Sequence, residues 1–171
     1  MIIKKTKFKD LLIVKQKNNS DKRGNLRETF NDKILKKKFI FEYCTSSKAN
    51  SLRGFHFQHK FQQAKYVNVL KGKIMDCVID LRKNSKTFGK YYSLIISDKS
   101  EYSFYIPEGF AHGFLCLSDK CIVHYKCSEY RHKESETTLH WRDQEVKIKW
   151  PIKKPILSKK DKIGKNLNFF R

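Results

Sequence analysis

A chain of 171 residues, 39% hydrophobic and 13% aromatic, is long enough to bury a real core and too apolar to be disordered, despite 32% charged residues. Its formal charge of +21 favours anionic partners, but the lysines are scattered from "KKTKFK" through "ILKKKF" to "PIKKPILSKKDK", as on a solvated surface, and are not gathered into a nucleic-acid footprint. No apolar run approaches the roughly 20 residues of a membrane-spanning helix, and the charged start "MIIKKTKFKD" is unlike a secretory signal.

In chain order, "DLLIVKQ" is the first strand-like run. The turn signal "SDKRGN" follows it, and then "NDKILKKKF", which has a plausible N-cap and a helix-compatible pattern. Strand-like runs then dominate: "FIFEYCT", "KYVNVLKGKIMDCVIDLR", "YYSLIIS", "YSFYIPEGF", "GFLCLS" and "CIVHYKCSEY". Between them "SSKANS", "LKGK", "RKNSKTFGK", "SDKSE", "PEG" and "LSDK" supply closely spaced turns. From "WPIKKPILSKKD" onward the pattern becomes irregular, broken by proline and lysine. This order predicts one all-β domain over residues 1–171, a jelly-roll barrel with short helical segments and an irregular C-terminal arm laid over it. The five cysteines (Cys44, Cys77, Cys116, Cys121 and Cys127) sit mostly in apolar runs without a CxxC pair. They fit buried free thiols in a reducing cytoplasm better than a disulfide frame or a structural zinc site.

One stretch, "SLRGFHFQHKFQQAKY", packs Arg53, His56, His59 and Lys65 among phenylalanines and glutamines. Strand alternation puts His56 and Gln58 on one face and Phe55 and Phe57 on the other. The same reasoning groups Lys65 with Val67 and Val69, and Asp76 with Val78 and Asp80. Charged side chains are seldom buried without a partner or a task, so their convergence inside the barrel would make a site; at a strand end each would only snorkel to water. In "IPEGFAHGF", Pro107 and Gly109 form a turn that returns His112 to the barrel lining. Tyr125 shares a strand face with Val123 and Cys127; it is a packing residue unless a histidine and a lysine lie beside it, when it becomes a candidate proton donor. His59, His124, His132 and His140 read as surface or packing residues, and Trp141 and Trp150 as structural.

Taken together, "SLRGFHFQ", "QAKYV", "GKIMDCVIDLRKNSKTFGKYYSLIIS", "YIPEGFAHGFLCLS" and "VHYK" resemble the dTDP-4-dehydrorhamnose 3,5-epimerase family of cupin-fold nucleotide-sugar epimerases. The resemblance runs from "DKRGNLRETF" to Asp161. It implies a nucleotide diphosphate joined to a 4-keto-6-deoxy sugar as substrate, and no redox cofactor or metal. His56 matches the base and Asp161 the carboxylate that pairs with it. Lys65 matches the cation beside the C4 oxygen, and Tyr125 the proton donor on the opposite sugar face. Asp76 matches a further carboxylate, expected to orient Lys65 or His56. Arg53 matches a diphosphate contact. Arg23 and Glu28 match nucleotide-holding residues that reach across a homodimer with exchanged N-terminal strands. Gln58, His112, Glu136 and Lys159 match other binding positions, and Tyr130 a residue that closes over the sugar.

Two departures stand out. The family carries a Gln and an Asn, two apart, ahead of the R-G-x-H block, where this resemblance puts Glu42 and Cys44. The His-to-Lys gap is also one residue shorter. The base pocket is therefore expected to be altered, leaving open dTDP, GDP or another nucleotide, a hexose or heptose, and inversion at C3, C5 or both. A metal-dependent cupin is the first rival, but the H-x-x-H spacing of His56 and His59 points them to opposite strand faces. Gln62 and Gln63 stand where a carboxylate ligand is wanted. A non-catalytic binding module is the second rival, yet His56, Lys65, Tyr125 and Asp161 are all present.

Overall fold

The computed structural model describes residues 1–171. The turn-punctuated runs form thirteen strands: β1 (Ile2–Lys5), β2 (Leu12–Lys15), β3 (Asn18–Asp21), β4 (Gly24–Arg27), β5 (Phe41–Lys48), β6 (Leu52–Gln58), β7 (Lys65–Lys71), β8 (Lys73–Asp80), β9 (Tyr91–Ser97), β10 (Tyr102–Ile106), β11 (Phe110–Cys116), β12 (Lys120–Cys127) and β13 (Glu136–Thr138). Helix is confined to α1 (Asp32–Leu35), α2 (Lys159–Lys162) and two 3₁₀ turns. Asn31 caps α1 by accepting the Lys33 N–H, and Ser158 caps α2 by accepting that of Asp161. The all-β expectation and the short helical segment at "NDKIL" both hold.

Two antiparallel sheets face each other, with strand orders β1-β2-β10-β7-β12-β5 and β13-β6-β11-β8-β9, and β3-β4 stands apart as a hairpin. Between them lies a core built from Val67 and Val69 of β7, Ile74 and Val78 of β8, Phe104 and Ile106 of β10, Phe114 of β11, and Val123 and Tyr125 of β12. The five-stranded sheet is covered on its other face too. There Phe55, Cys77, Ile79 and Leu139 pack under Val146, Leu167 and Phe170 of the C-terminal arm. Two-sided burial is why "IMDCVID" reads as a nearly unbroken apolar run rather than a clean alternation. Four of the five thiols are buried and only Cys44 is exposed.

The arm is irregular but firmly tied. Asp143 accepts the N–H groups of Val146 and Leu167, and Trp150 Nε1 donates to the Trp141 carbonyl at 2.9 Å. Ser51 bridges to Ile156 and Leu139 to Lys165, which carries α2 back toward β6.

β6 departs from simple alternation. Between His56 and Arg53 it advances three residues while β11 advances two, from His112 to Phe114. The extra residue is a bulge, and it turns Arg53 and His56 to the same side. Glycine is required on both strands here. A Cβ on Gly54, at φ +117°, would lie 2.5 Å from Gly113 Cα, and one on Gly113 would lie 2.7 Å from the Arg53 carbonyl oxygen.

The turn after β8 hangs on Asp80. Its fully buried carboxylate accepts from Arg82 Nε at 2.9 Å and Nη2 at 2.7 Å, and from the Ser85 and Thr87 hydroxyls at 2.6 Å each. The motif "DLRKNSKTFGK" is thereby a folding device, and Asp80 does not share the task expected of Asp76. Asp80→Ala should lower stability by about 3–5 kcal/mol, since it strands a guanidinium and two hydroxyls around a void. A fall in the urea midpoint with an unchanged m-value checks it.

Candidate active site

A cavity of about 350 Å³ opens between the sheets, lined by Phe41, Tyr43 and Thr45 of β5, Arg53, His56 and Gln58 of β6, Lys65 of β7, His112 of β11, Tyr125 of β12, Arg131 and Glu136. Six of the sequence-expected residues therefore line one cavity together with Arg53, which the β6 bulge turns inward.

Two histidine–carboxylate pairs organise it. His56 Nε2 donates to Asp161 Oδ1 at 2.8 Å; the carboxylate is buried while the imidazole remains 36% exposed. This fixes the His56 proton on Nε2 and leaves Nδ1 as the basic nitrogen. Burial alone would raise the Asp161 pKa, but the His56 hydrogen bond, its charge and the Ser158 and Gly54 contacts lower it below the ordinary value. The second pair is buried: His112 Nε2 meets Asp76 Oδ1 at 2.6 Å, and Asp76 Oδ2 has no hydrogen-bond partner. Asp76 thus orients His112, not Lys65 or His56 as expected. Along the β8–β11 ladder Val78 lies directly opposite His112 and Asp76 opposite Phe114, so Asp76 reaches His112 diagonally on the same inward face.

Lys65 and Tyr125 respond to burial in opposite senses. Desolvation lowers the Lys65 pKa, opposed by the charges of Cys127, Glu136 and Asp76. Desolvation raises the Tyr125 pKa well above that of a free phenol, with Tyr43 and Asp76 adding to the rise. Tyr125 is consequently a protonated donor near neutral pH. His56 and Tyr125 come from opposite sheets, so they approach a bound ring from different sides.

Arg53 donates through Nε to Ser47 Oγ at 2.8 Å and through Nη2 to the Ser46 carbonyl at 3.1 Å, which aims the rest of its fork at the cavity. Gln58 lines the wall, but its amide braces loops: Nε2 donates to the Phe61 and Tyr130 carbonyls and Oε1 accepts the His132 N–H.

Other expectations are revised. Glu42 and Cys44 point out of the barrel, Glu42 binding His124 and Lys126, while their neighbours Phe41 and Tyr43 face the cavity. Period-two alternation requires this once β5 is paired with β12. Lys159 is exposed, and Lys160 is the residue that reaches Glu136; in one turn of α2 adjacent residues point about 100° apart. Tyr130 sits at the rim, 60% exposed, with its ring 5.9 Å from Phe41. Arg23 is bound to Asp21 on the β3–β4 hairpin and Glu28 lies beside Lys17, both outside this cavity. His59 turns away to Thr137 and stacks on Phe170, as its packing role anticipated. Arg131 was missed: it lies in an aperiodic loop, and only its charge next to Tyr130 hinted at a site.

Glu136 accepts from Arg131 Nε at 2.6 Å and from Lys160 Nζ. Burial would raise its pKa, but these bonds and the charges of His56 and Lys160 bring it down to about 2. A depressed carboxylate contributes stability that is fully present above its unfolded pKa and fades as pH falls through the folded one. The stability advantage over Glu136→Gln should therefore shrink by on the order of 2–3 kcal/mol between about pH 5 and pH 2, read by denaturant titration across that window.

The chain matches the family described as dTDP-4-dehydrorhamnose 3,5-epimerase over residues 5–168. It is 42% identical to the dTDP-4-dehydrorhamnose 3,5-epimerase of Methanothermobacter thermautotrophicus, over 95% of this chain and 92% of that protein. Its fold superposes at a TM-score of 0.93 on a dTDP-6-deoxy-D-glucose-3,5-epimerase of Legionella pneumophila, solved in complex with dTDP-4-keto-L-rhamnose; the two are 37% identical over 98% of this chain and 93% of the other. A 3'-monoepimerase of Streptomyces bikiniensis, in complex with dTDP-quinovose, gives a TM-score of 0.90 at 25% identity over 95% of this chain and 86% of that one. With its cupin-type jelly roll and these relatives, the chain belongs to the dTDP-4-dehydrorhamnose 3,5-epimerase family.

Proposed function

We propose that this protein epimerises C3 and C5 of a dTDP-linked 4-keto-6-deoxy sugar. The observation that carries the reading is a carboxylate-fixed histidine and a protonated tyrosine on opposite walls of one cavity that also holds a half-buried lysine. The C4 ketone acidifies the hydrogens on both neighbouring carbons. His56 Nδ1 takes one of them, the C–H electrons pass into the C4 oxygen as an enolate, and Asp161 steadies the imidazolium. The Lys65 ammonium faces the oxyanion; its lowered pKa makes it a strong hydrogen-bond donor where charge develops. Tyr125 returns a proton to the opposite face, inverting the centre, and regains its own from solvent. Arg53 and Arg131 present fixed cations suited to the diphosphate.

Arg23 and Glu28 lie outside the cavity of their own chain, and this supports their delivery to a partner's site in a homodimer that exchanges N-terminal strands. The buried free thiols fit a cytoplasmic setting. Epimerisation at C3 alone is the second reading, favoured by the likeness to the 3'-monoepimerase.

In deuterated water, dTDP-4-keto-6-deoxyglucose should gain deuterium at both C3 and C5, and His56→Ala should cut both rates by about 10³-fold. Deuterium at C3 alone would establish the second reading, and no exchange with any 4-keto nucleotide sugar would end the epimerase reading. For the partner-supplied arginine, Arg23→Ala and His56→Ala should each be close to inactive alone. Refolded together, they should recover about a quarter of wild-type activity, since half the dimers are mixed and each carries one complete site. Recovery of nothing would keep Arg23 out of the partner's site.

A further inference from the structure

The proton donor is held by an aromatic neighbour that the mechanism above does not use. Tyr43 and Tyr125 are directly paired across β5 and β12, and their rings stack at 4.6 Å with only 12° between planes. On its other side Tyr125 meets the edge of the His112 ring at 5.9 Å and 66°, and His112 is itself fixed by Asp76. Outside the barrel, Glu42 binds both residues that flank Tyr125: His124 Nε2 at 3.0 Å and Lys126 Nζ at 2.6 Å. The same step of β5 thus clamps β12 from without and stacks on its tyrosine from within.

We propose that Tyr43 is a positioning residue for proton delivery: its ring fixes the plane of Tyr125 so that the phenol reaches the sugar carbon on the face opposite His56. This deepens the epimerase reading and rests on it. Offset-stacked rings resist rotation about χ2 in a way an aliphatic or amide neighbour does not. Loss of the stack leaves His56 and Asp161 untouched. His56 can still remove a proton, exchange it with solvent through its exposed edge, and return a deuteron to the face it came from. That sequence breaks and remakes the same C–H bond through the enolate, without inversion and without a co-reactant. Delivery from Tyr125 alone becomes inefficient.

The partition between exchange and inversion therefore tests Tyr43, and a general loss of binding or folding would not move it. The probe is dTDP-4-keto-6-deoxyglucose in deuterated water, with deuterium and inverted product counted separately. Tyr43→Leu should raise the ratio of exchange to inversion by about tenfold, and change KM by less than about threefold. Tyr43→Phe, which keeps the ring, should restore the wild-type ratio. Should the leucine variant not fold, as judged by near-ultraviolet circular dichroism, Tyr43→His is measured in its place and should give an intermediate ratio. An unchanged ratio in the variant that lacks the full ring, or a phenylalanine variant as uncoupled as leucine, would overturn the proposal. Absence of exchange in the wild type would instead remove the epimerase reading beneath it, so the two failures are told apart by the wild-type arm.

Discussion

The hydrogen bond between His56 and Asp161 ties the chemistry to the fold. It joins the middle of the barrel to the far end of the chain, and it exists only because the arm is anchored along the outer face of the five-stranded sheet. Asp143, the Trp141–Trp150 contact and the bridges at Ile156 and Lys165 each hold part of that path. Ser158 then starts α2 so that Asp161 enters buried beneath His56, with Lys160 beside it pointing to Glu136. An arm of little regular structure is in this sense the rear wall of the site. Its loss would leave an imidazole without a fixed tautomer and Glu136 with one cation fewer.

Much of this was legible in the sequence. Short apolar runs between turn signals gave the strands, and the cluster around His56 marked the site. What escaped has common physical causes. Alternation assumes an unbroken ladder, but the β6 bulge at Gly54 turns Arg53 and His56 to one side, which spacing alone would have separated. A shift of one residue inverts a strand's faces, and this is how Glu42 and Cys44 came to stand for Phe41 and Tyr43. The partner of Asp76 could not be read, because His112 is 36 residues away and meets it only through the β8–β11 register. Lys159 and Lys160 differ by one step on a four-residue helix, below the resolution of any periodic pattern.

The charge of +21 and the charges in the cavity are separate matters. The excess lies on exposed lysines, where water and salt screen it. In the cavity Arg53 is fixed on serine oxygens and Arg131 on Glu136, which Lys160 also contacts from α2. Such groups need not reorganise when a diphosphate enters, so they act more strongly than their number implies.

Burial also divides the acid–base work. Withdrawing Tyr125 from water makes its phenolate costly, so the group holds its proton until a carbanion-like centre is there to receive it. Withdrawing Lys65 makes its ammonium costly, so a neighbouring oxyanion is welcome at that point. His56 is the exception, partly open to solvent and backed by a carboxylate, which leaves it free to gain and shed a proton in each cycle. One dry wall and one wet edge within a single cavity therefore assign the donor, the oxyanion partner and the base, with no group required to change its role.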